Sequence, residues 1–364
     1  MVKCDCRKHF LTKTLFLFSM NILKQKAVFF QEVSYFAQKQ TQKLFSFGLQ
    51  TFALKPIQSL RSNARLSSFS WYAVKMKTCR LAGNAKIPKI FPRILKHLNI
   101  VNRGDIIAVD FSDFGNGILA LMFAKQTRKG RAIPLYFETY IPKKDFQNPF
   151  IIQAIQHLEN ILGFKPYLVF DRGFACPDII KFLDENGFKF IIRVKKIKQF
   201  SLAGDDAKFK AKNAPGNDQI VSAYSCGPRL IVSDPDGKND EPWYLVTNDF
   251  ENSRDAIIDN YYHRFEIEEF FRDAKRLLGM EHLNLKKELS LEVVLWFVIL
   301  SVWFLWTLET QMNDADRKLK SSMKISVIRY CLEALWRQIE TNASQTDVEP
   351  FCPNQLKFPF YEKV

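Results

Sequence analysis

Between Asp105 and Val194 the apolar residues fall into short β-branched and aromatic runs, interrupted by turn signals and two helical stretches; this order restricts the fold more than anything else in the chain. Asp105–Phe111 (DIIAVDF), Gly117–Gln126 (GILALMFAKQ) and Ala132–Tyr140 (AIPLYFETY) are separated by Asn-Gly and Lys-Gly pairs, which predicts a three-stranded antiparallel meander. Phe150–Leu162 then places Ile151, Ile155, Leu158 and Leu162 three or four positions apart, the period of a helix. Tyr167–Asp171 (YLVFD) reads as a buried strand, Pro177–Asn186 as a helix and Phe188–Val194 (FKFIIRV) as another strand. The order βββαβαβ predicts an α/β domain, a mixed sheet flanked by helices.

Beyond it, the polar stretch Lys195–Asp218 precedes three short strand signals, Gln219–Ser225, Arg229–Ser233 and Trp243–Thr247, so residues 196–249 read as a β-rich insertion or a long excursion from the sheet. Helical periodicity returns at Arg254 and persists to about Gly279, a plausible C-cap. Val293–Leu308 is almost unbroken apolar sequence, shorter than the ~20 residues needed to span a bilayer, and is expected to be a buried core helix. An amphipathic helix near 323–341 follows.

Charge divides the chain. Residues 1–100 contain 18 Lys and Arg against only Asp5 and Glu32, whereas the remainder is close to neutral. Such a basic segment suits either a polyanionic partner or a solvated basic surface, and charge alone does not choose between them. The seven cysteines lack CxxC spacing and a neighbouring His cluster, which predicts reduced thiols of a cytoplasmic protein and no zinc site. The apolar stretch Thr14–Leu23 runs into Lys24 and Lys26 without a small-residue cleavage pattern, so a secretory leader is not expected.

Two carboxylates end apolar strand runs: Asp110 after Ile106-Ile107-Ala108-Val109, and Asp171 after Tyr167-Leu168-Val169-Phe170. An acid in that position either caps the next turn or points into a site at the sheet edge. A third signal lies in Tyr261-Tyr-His-Arg264-Phe-Glu-Ile-Glu268-Glu-Phe-Phe-Arg-Asp-Ala-Lys275. On one continuous helix Tyr261, Arg264 and Lys275 would fall about +20°, −40° and −20° from Glu268, while Glu266 and Glu269 would lie about 160° and 100° away. The shared stripe singles out Glu268. Phe265 and Phe271, about 60° to either side, would anchor the helix on the sheet. A surface helix with i,i+4 ion pairs explains Arg264 with Glu268 only; a phosphate-binding face around one metal-ligating carboxylate explains all four residues.

Tyr261-x2-Arg264-x3-Glu268-x6-Lys275 resembles the YREK signature of bacterial insertion-sequence transposases of the insertion-sequence-four group, within the DDE, RNase H-like superfamily. Asp171-Arg172-Gly173-Phe174 looks like that family's D-R-G-[FY] motif, and Val109-Asp110 sits where its first catalytic aspartate is found, with Asp105 and Asp113 as neighbouring acids. The resemblance covers roughly Ile106 to Met280. It implies an RNase H-like catalytic domain at 101–195 and 250–312, the β-rich insertion at 196–249 before the glutamate helix, a helical DNA-binding region at 1–100 and a helical C-terminal region at 313–364. It further implies that Asp110, Asp171 and Glu268 bind two Mg²⁺ or Mn²⁺ ions for cut-and-paste DNA transposition, with double-stranded DNA (terminal inverted repeats and target) as partner. Tyr261, Arg264, Lys275 and Arg172 would contact DNA, and Trp243 would either stack on a flipped base or belong to the core. A homodimer in the synaptic complex, no membrane association and a cytoplasmic location complete the expectation.

Overall fold

The computed structural model describes residues 100–114, 117–143, 146–205, 207–222, 227–234, 241–278, 280, 288–310 and 326–331, together with positions 95 and 318. The basic region 1–100 and the helix near 323–341 lie almost wholly outside the described residues.

The predicted meander is present as β1 (Ile106–Asp113), β2 (Leu119–Lys125) and β3 (Ile133–Tyr140), paired antiparallel. α1 (Gln147–Leu162), β4 (Tyr167–Phe170), α2 (Pro177–Glu185) and β5 (Phe190–Arg193) follow in the expected order, with β4 parallel to both β1 and β5. The resulting strand order β3-β2-β1-β4-β5 is the RNase H-like arrangement. α1 ends cleanly because Gly163 takes a left-handed conformation (φ 73°) and its N–H reaches the Glu159 carbonyl at 2.7 Å. Gly163→Ala places a Cβ on that conformation and should cost about 1 kcal/mol in urea denaturation; no measurable loss would mean that the helix end relaxes freely.

Residues 196–249 extend this same sheet. β6 (Gln199–Leu202), β7 (Lys208–Lys210), β8 (Asp218–Ser222), β9 (Arg229–Val232) and β10 (Tyr244–Thr247) join it through antiparallel β10–β5 pairing, giving the order β5-β10-β9-β8-β6-β7 beyond the central strands. β6 and β7 arise inside the stretch that reads as polar, because Phe200 and Phe209 pair across them at 6.4 Å while their neighbours stay exposed or half-exposed.

Side-chain alternation along β4 divides the core between two clusters. Leu168 and Phe170 join the large cluster containing α1, α2 and α5 (Glu288–Thr310); Val169 joins a smaller one with Ile191, Ile231, Leu245 and the α3 residues Ile257 and Tyr261 (α3, Arg254–Tyr262). α5 is the expected apolar core helix and packs on the edge strand β3. There Pro134 forfeits its N–H at little cost, and Trp303 donates its indole N–H to the Pro134 carbonyl at 2.6 Å. Burying an indole of ~200 Å² is worth on the order of 5 kcal/mol before entropy is charged. Among the described residues no helix is long and apolar enough to cross a membrane.

The helix predicted from Arg254 to about Gly279 is broken. α3 passes into a 3-10 turn, His263–Phe265, before α4 (Glu266–Arg276) begins. The break coincides with a tie to the β2–β3 hairpin: the buried Glu266 carboxylate accepts the backbone N–H groups of Thr127 (2.7 Å), Arg128 (3.2 Å) and Gly130 (2.9 Å), and its carbonyl accepts that of Ala132 (3.1 Å). Tyr261 and Glu268 therefore stand on either side of a tighter turn, so the angles of one regular helix hold only approximately, although both residues still face the same carboxylates.

Candidate active site

The parallel register of β1 and β4 pairs Val109 with Phe170. Asp110 and Asp171 are each the next residue, on neighbouring strands spaced about 4.8 Å apart. β1 itself continues to Asp113 against β2 alone, so Asp110 lies within a strand, at the point where its β4 neighbour turns away. Asp171 begins the 3-10 turn Arg172–Phe174 but makes no capping bond with its side chain. The turn-cap alternative therefore does not describe it. Phe174 pins the turn by packing on Phe170 (5.3 Å) and stacking on Phe111 (5.5 Å), which leaves the Asp171 carboxylate to accept the Tyr261 hydroxyl at 3.4 Å. Of the neighbouring acids, Asp105 is paired with Lys125 at 2.8 Å at the opposite end of the strand, and Asp113 is exposed at its tip.

Glu268 joins this pair through Arg264. One guanidinium nitrogen, Nη2, donates to Glu268 Oε1 at 2.7 Å, and Nη1 lies 3.5 Å from Asp110 Oδ2. Arg264 is only 2% exposed and rests on Phe265 at 4.5 Å, whereas the Glu268 side chain is half-exposed. Glu266 and Glu269 are committed elsewhere, the first to the hairpin and the second to Arg131 and Arg272.

Burial bears on three of the expected DNA contacts. Tyr261 is 0% exposed and Arg264 nearly so, and both face the carboxylates from the inside. Trp243, 6% exposed, meets Tyr261 edge-on at 5.1 Å and Phe265 at 5.9 Å, so it is a wall of the box around Tyr261 without a free face for a base. The cause is common to all three: α3 packs down on the outer half of the sheet and closes over them. Lys275, half-buried, holds its ammonium 5.5 Å above Phe114, and Arg172 is exposed beside Asp171. Arg172 shares a cleft of about 220 Å³ with Arg193, Lys195 and Lys196. These last three were not singled out from the sequence, although the run Arg193-Val-Lys-Lys-Ile-Lys198 at the end of β5 is the signal that would have found them.

Burial pushes the Asp110 carboxyl up to about 6, and the nearby carboxylates of Glu268 and Asp171 add to the rise; Arg264 and the Phe111 N–H, at 2.8 Å, hold it down in part. Burial also pushes the Tyr261 phenol up to about 12, so it remains a hydrogen-bond donor to Asp171. Because folded Asp110 binds its proton more tightly than the unfolded chain, whose value is near 3.8, its ionisation costs stability as pH rises from about 4 to about 6. Asp110→Asn should therefore stabilise the protein by on the order of 3 kcal/mol at pH 7.5 and by almost nothing at pH 4, measured by urea denaturation. An equal effect at both pH values would contradict the assignment.

The donors suit a hard divalent cation, which takes carboxylate oxygens. As they stand, however, no three Asp, Glu, His or Cys side chains among the described residues are close enough to cage an ion. Arg264 occupies the space between Asp110 and Glu268. A larger cleft, about 710 Å³, opens at the other end of β1 beside Trp303 and Trp306, but its acids Asp105 and Glu309 are both ion-paired with lysines.

Residues 137–304 match the family described as Transposase DDE domain, a span that includes Asp171 and Glu268 and begins after Asp110. Among solved structures the chain is similar to a piggyBac transposase in a synaptic complex with hairpin DNA, at 13% identity and a TM-score of 0.45, covering 91% of this chain and 79% of that one. It is also similar to Aa-Ago with externally bound siRNA, at 12% identity and a TM-score of 0.26, covering 61% and 33% of the two chains. No curated protein matches the chain in sequence.

Proposed function

We propose that this chain, with its Transposase DDE domain match over residues 137–304, is a DDE transposase of the insertion-sequence-four group that cuts and rejoins DNA at Asp110, Asp171 and Glu268. The observation that carries this reading is the β1–β4 register, which brings two carboxylates together beyond Val109 and Phe170 with neither used as a turn cap. Asp110 and Asp171 would hold divalent cations, with Glu268 as the third ligand. When bound, two Mg²⁺ or Mn²⁺ ions would supply Lewis-acid chemistry there, for attack by water and then by a DNA 3′-hydroxyl. The protein's part is positional. Tyr261 orients Asp171, while Phe174 and the Trp243 box keep both from shifting. Arg172, Arg193, Lys195 and Lys196 on one side and Lys275 on the other would hold the backbone phosphates of the scissile strand.

On this reading the basic segment 1–100 grips the terminal inverted repeats, two ends are brought together by a homodimer, and excision and insertion proceed by cut and paste in the cytoplasm. The test is to incubate the protein with Mg²⁺, a labelled duplex taken from the DNA flanking its gene, and a supercoiled target plasmid. Nicking at the repeat boundary followed by plasmid-joined product is expected. Cleavage without joined product would identify a nuclease that only hydrolyses, and retained binding without nicking would identify a DNA-binding protein that no longer cuts.

A further inference from the structure

Arg264 is unusual in how it is held. Its guanidinium is desolvated and bridges Glu268 and Asp110, yet Nε and Nη1 are buried without any hydrogen-bond partner. Leaving such donors unpaired is costly, so charge is what retains it there. Glu266, two positions on, shows the contrast: its carboxylate is saturated by backbone N–H groups and is fixed in place. Glu268 is half-exposed and free to turn toward solvent, and the aromatic rings of Phe265 and Tyr261, 4.5 and 5.6 Å from the guanidinium, offer the cation a second resting surface.

We infer that Arg264 is the resident counter-ion of the carboxylate site: it must release Glu268 before a divalent cation can take that carboxylate, and so it sets the cation affinity of the site. This rests on the proposed cation site at Asp110 and Asp171. A guanidinium within 3.5 Å of Asp110 and a doubly charged ion on the same carboxylate repel one another, so each weakens the hold of the other. Arg264 is thus a positioning residue, acting through Glu268.

Mn²⁺ binding to the full chain, followed by the electron paramagnetic resonance signal of free Mn²⁺, tests this. Arg264→Met should bind Mn²⁺ at least tenfold more tightly than the unmodified protein. Arg264→Lys, which keeps the charge but cannot span Asp110 and Glu268, should bind at least threefold more tightly, and Asp171→Asn at least tenfold more weakly. If Asp171→Asn binds as the unmodified protein does, the cation site itself is wrong. If Asp171→Asn is weakened while Arg264→Lys matches the unmodified protein, the placeholder role alone is overturned, whether or not Arg264→Met tightens, since a change confined to Met would report net charge. The unmodified protein supplies a readout independent of mutant folding: the Arg264 Nε–H nuclear magnetic resonance signal should shift and exchange faster with solvent on saturation with Mg²⁺. An unchanged signal would overturn the inference.

Discussion

Asp171→Asn is expected to lower Mg²⁺-dependent strand cleavage by at least about 10³-fold, roughly 4 kcal/mol of barrier, while the protein still folds. Asn keeps the shape of the side chain and can still meet the Tyr261 hydroxyl, 3.4 Å away, so packing around Phe174 should be unaffected. What is lost is one of the two negative charges set side by side by the β1–β4 register. Asp110→Asn and Glu268→Gln should fall comparably. Asp105→Asn, at the far end of β1 and engaged with Lys125, should stay within about threefold of the unmodified protein. Single-turnover cleavage of a labelled duplex measures all four; an Asp171→Asn protein cutting within tenfold of normal would remove Asp171 from the chemistry.

Glu266→Ala is the substitution expected to do most damage to the fold. Its carboxylate is almost fully buried and accepts the N–H groups of Thr127, Arg128 and Gly130. Arg128 is the one non-glycine residue with positive φ among those described, at 59°, and it is held further by Asp259 and Asn260. Alanine would strand three backbone donors and loosen a strained turn, a loss of about 4 kcal/mol at neutral pH by urea denaturation. Glu266→Gln, which keeps one carbonyl acceptor, should lose about half as much. A loss below about 1 kcal/mol for Glu266→Ala would mean that water replaces the carboxylate and the hairpin tie is incidental.

Much of the sheet was legible because its strands are short apolar runs cut by Asn-Gly and Lys-Gly turns, and the order βββαβαβ leaves few ways to bury them. Asp110 and Asp171 were legible as acids closing such runs. Their adjacency was expected only through the family resemblance, since it depends on a parallel register between strands separated by β2, β3 and α1. The break at His263–Phe265 was hidden for a similar reason: periodicity around Glu268 is helical on both sides, and the groups tied to Glu266 lie as far as 139 positions away. Burial of Tyr261 escaped the sequence, and that of Trp243 was only one of two readings, because it is created by α3 closing over β9 and β10, and an aromatic residue carries the same letter as core wall or as contact surface. β6 and β7 are four- and three-residue strands amid lysines, too short for alternation to register.

Replacing Mg²⁺ with Fe²⁺ and triggering hydroxyl-radical cleavage of the polypeptide locates a bound cation directly. Backbone cuts clustered within a few residues of Asp110, Asp171 and Glu268, and suppressed by excess Mg²⁺, are the result expected if these three side chains form the cation site. Cuts elsewhere, or cuts that Mg²⁺ does not suppress, would contradict it.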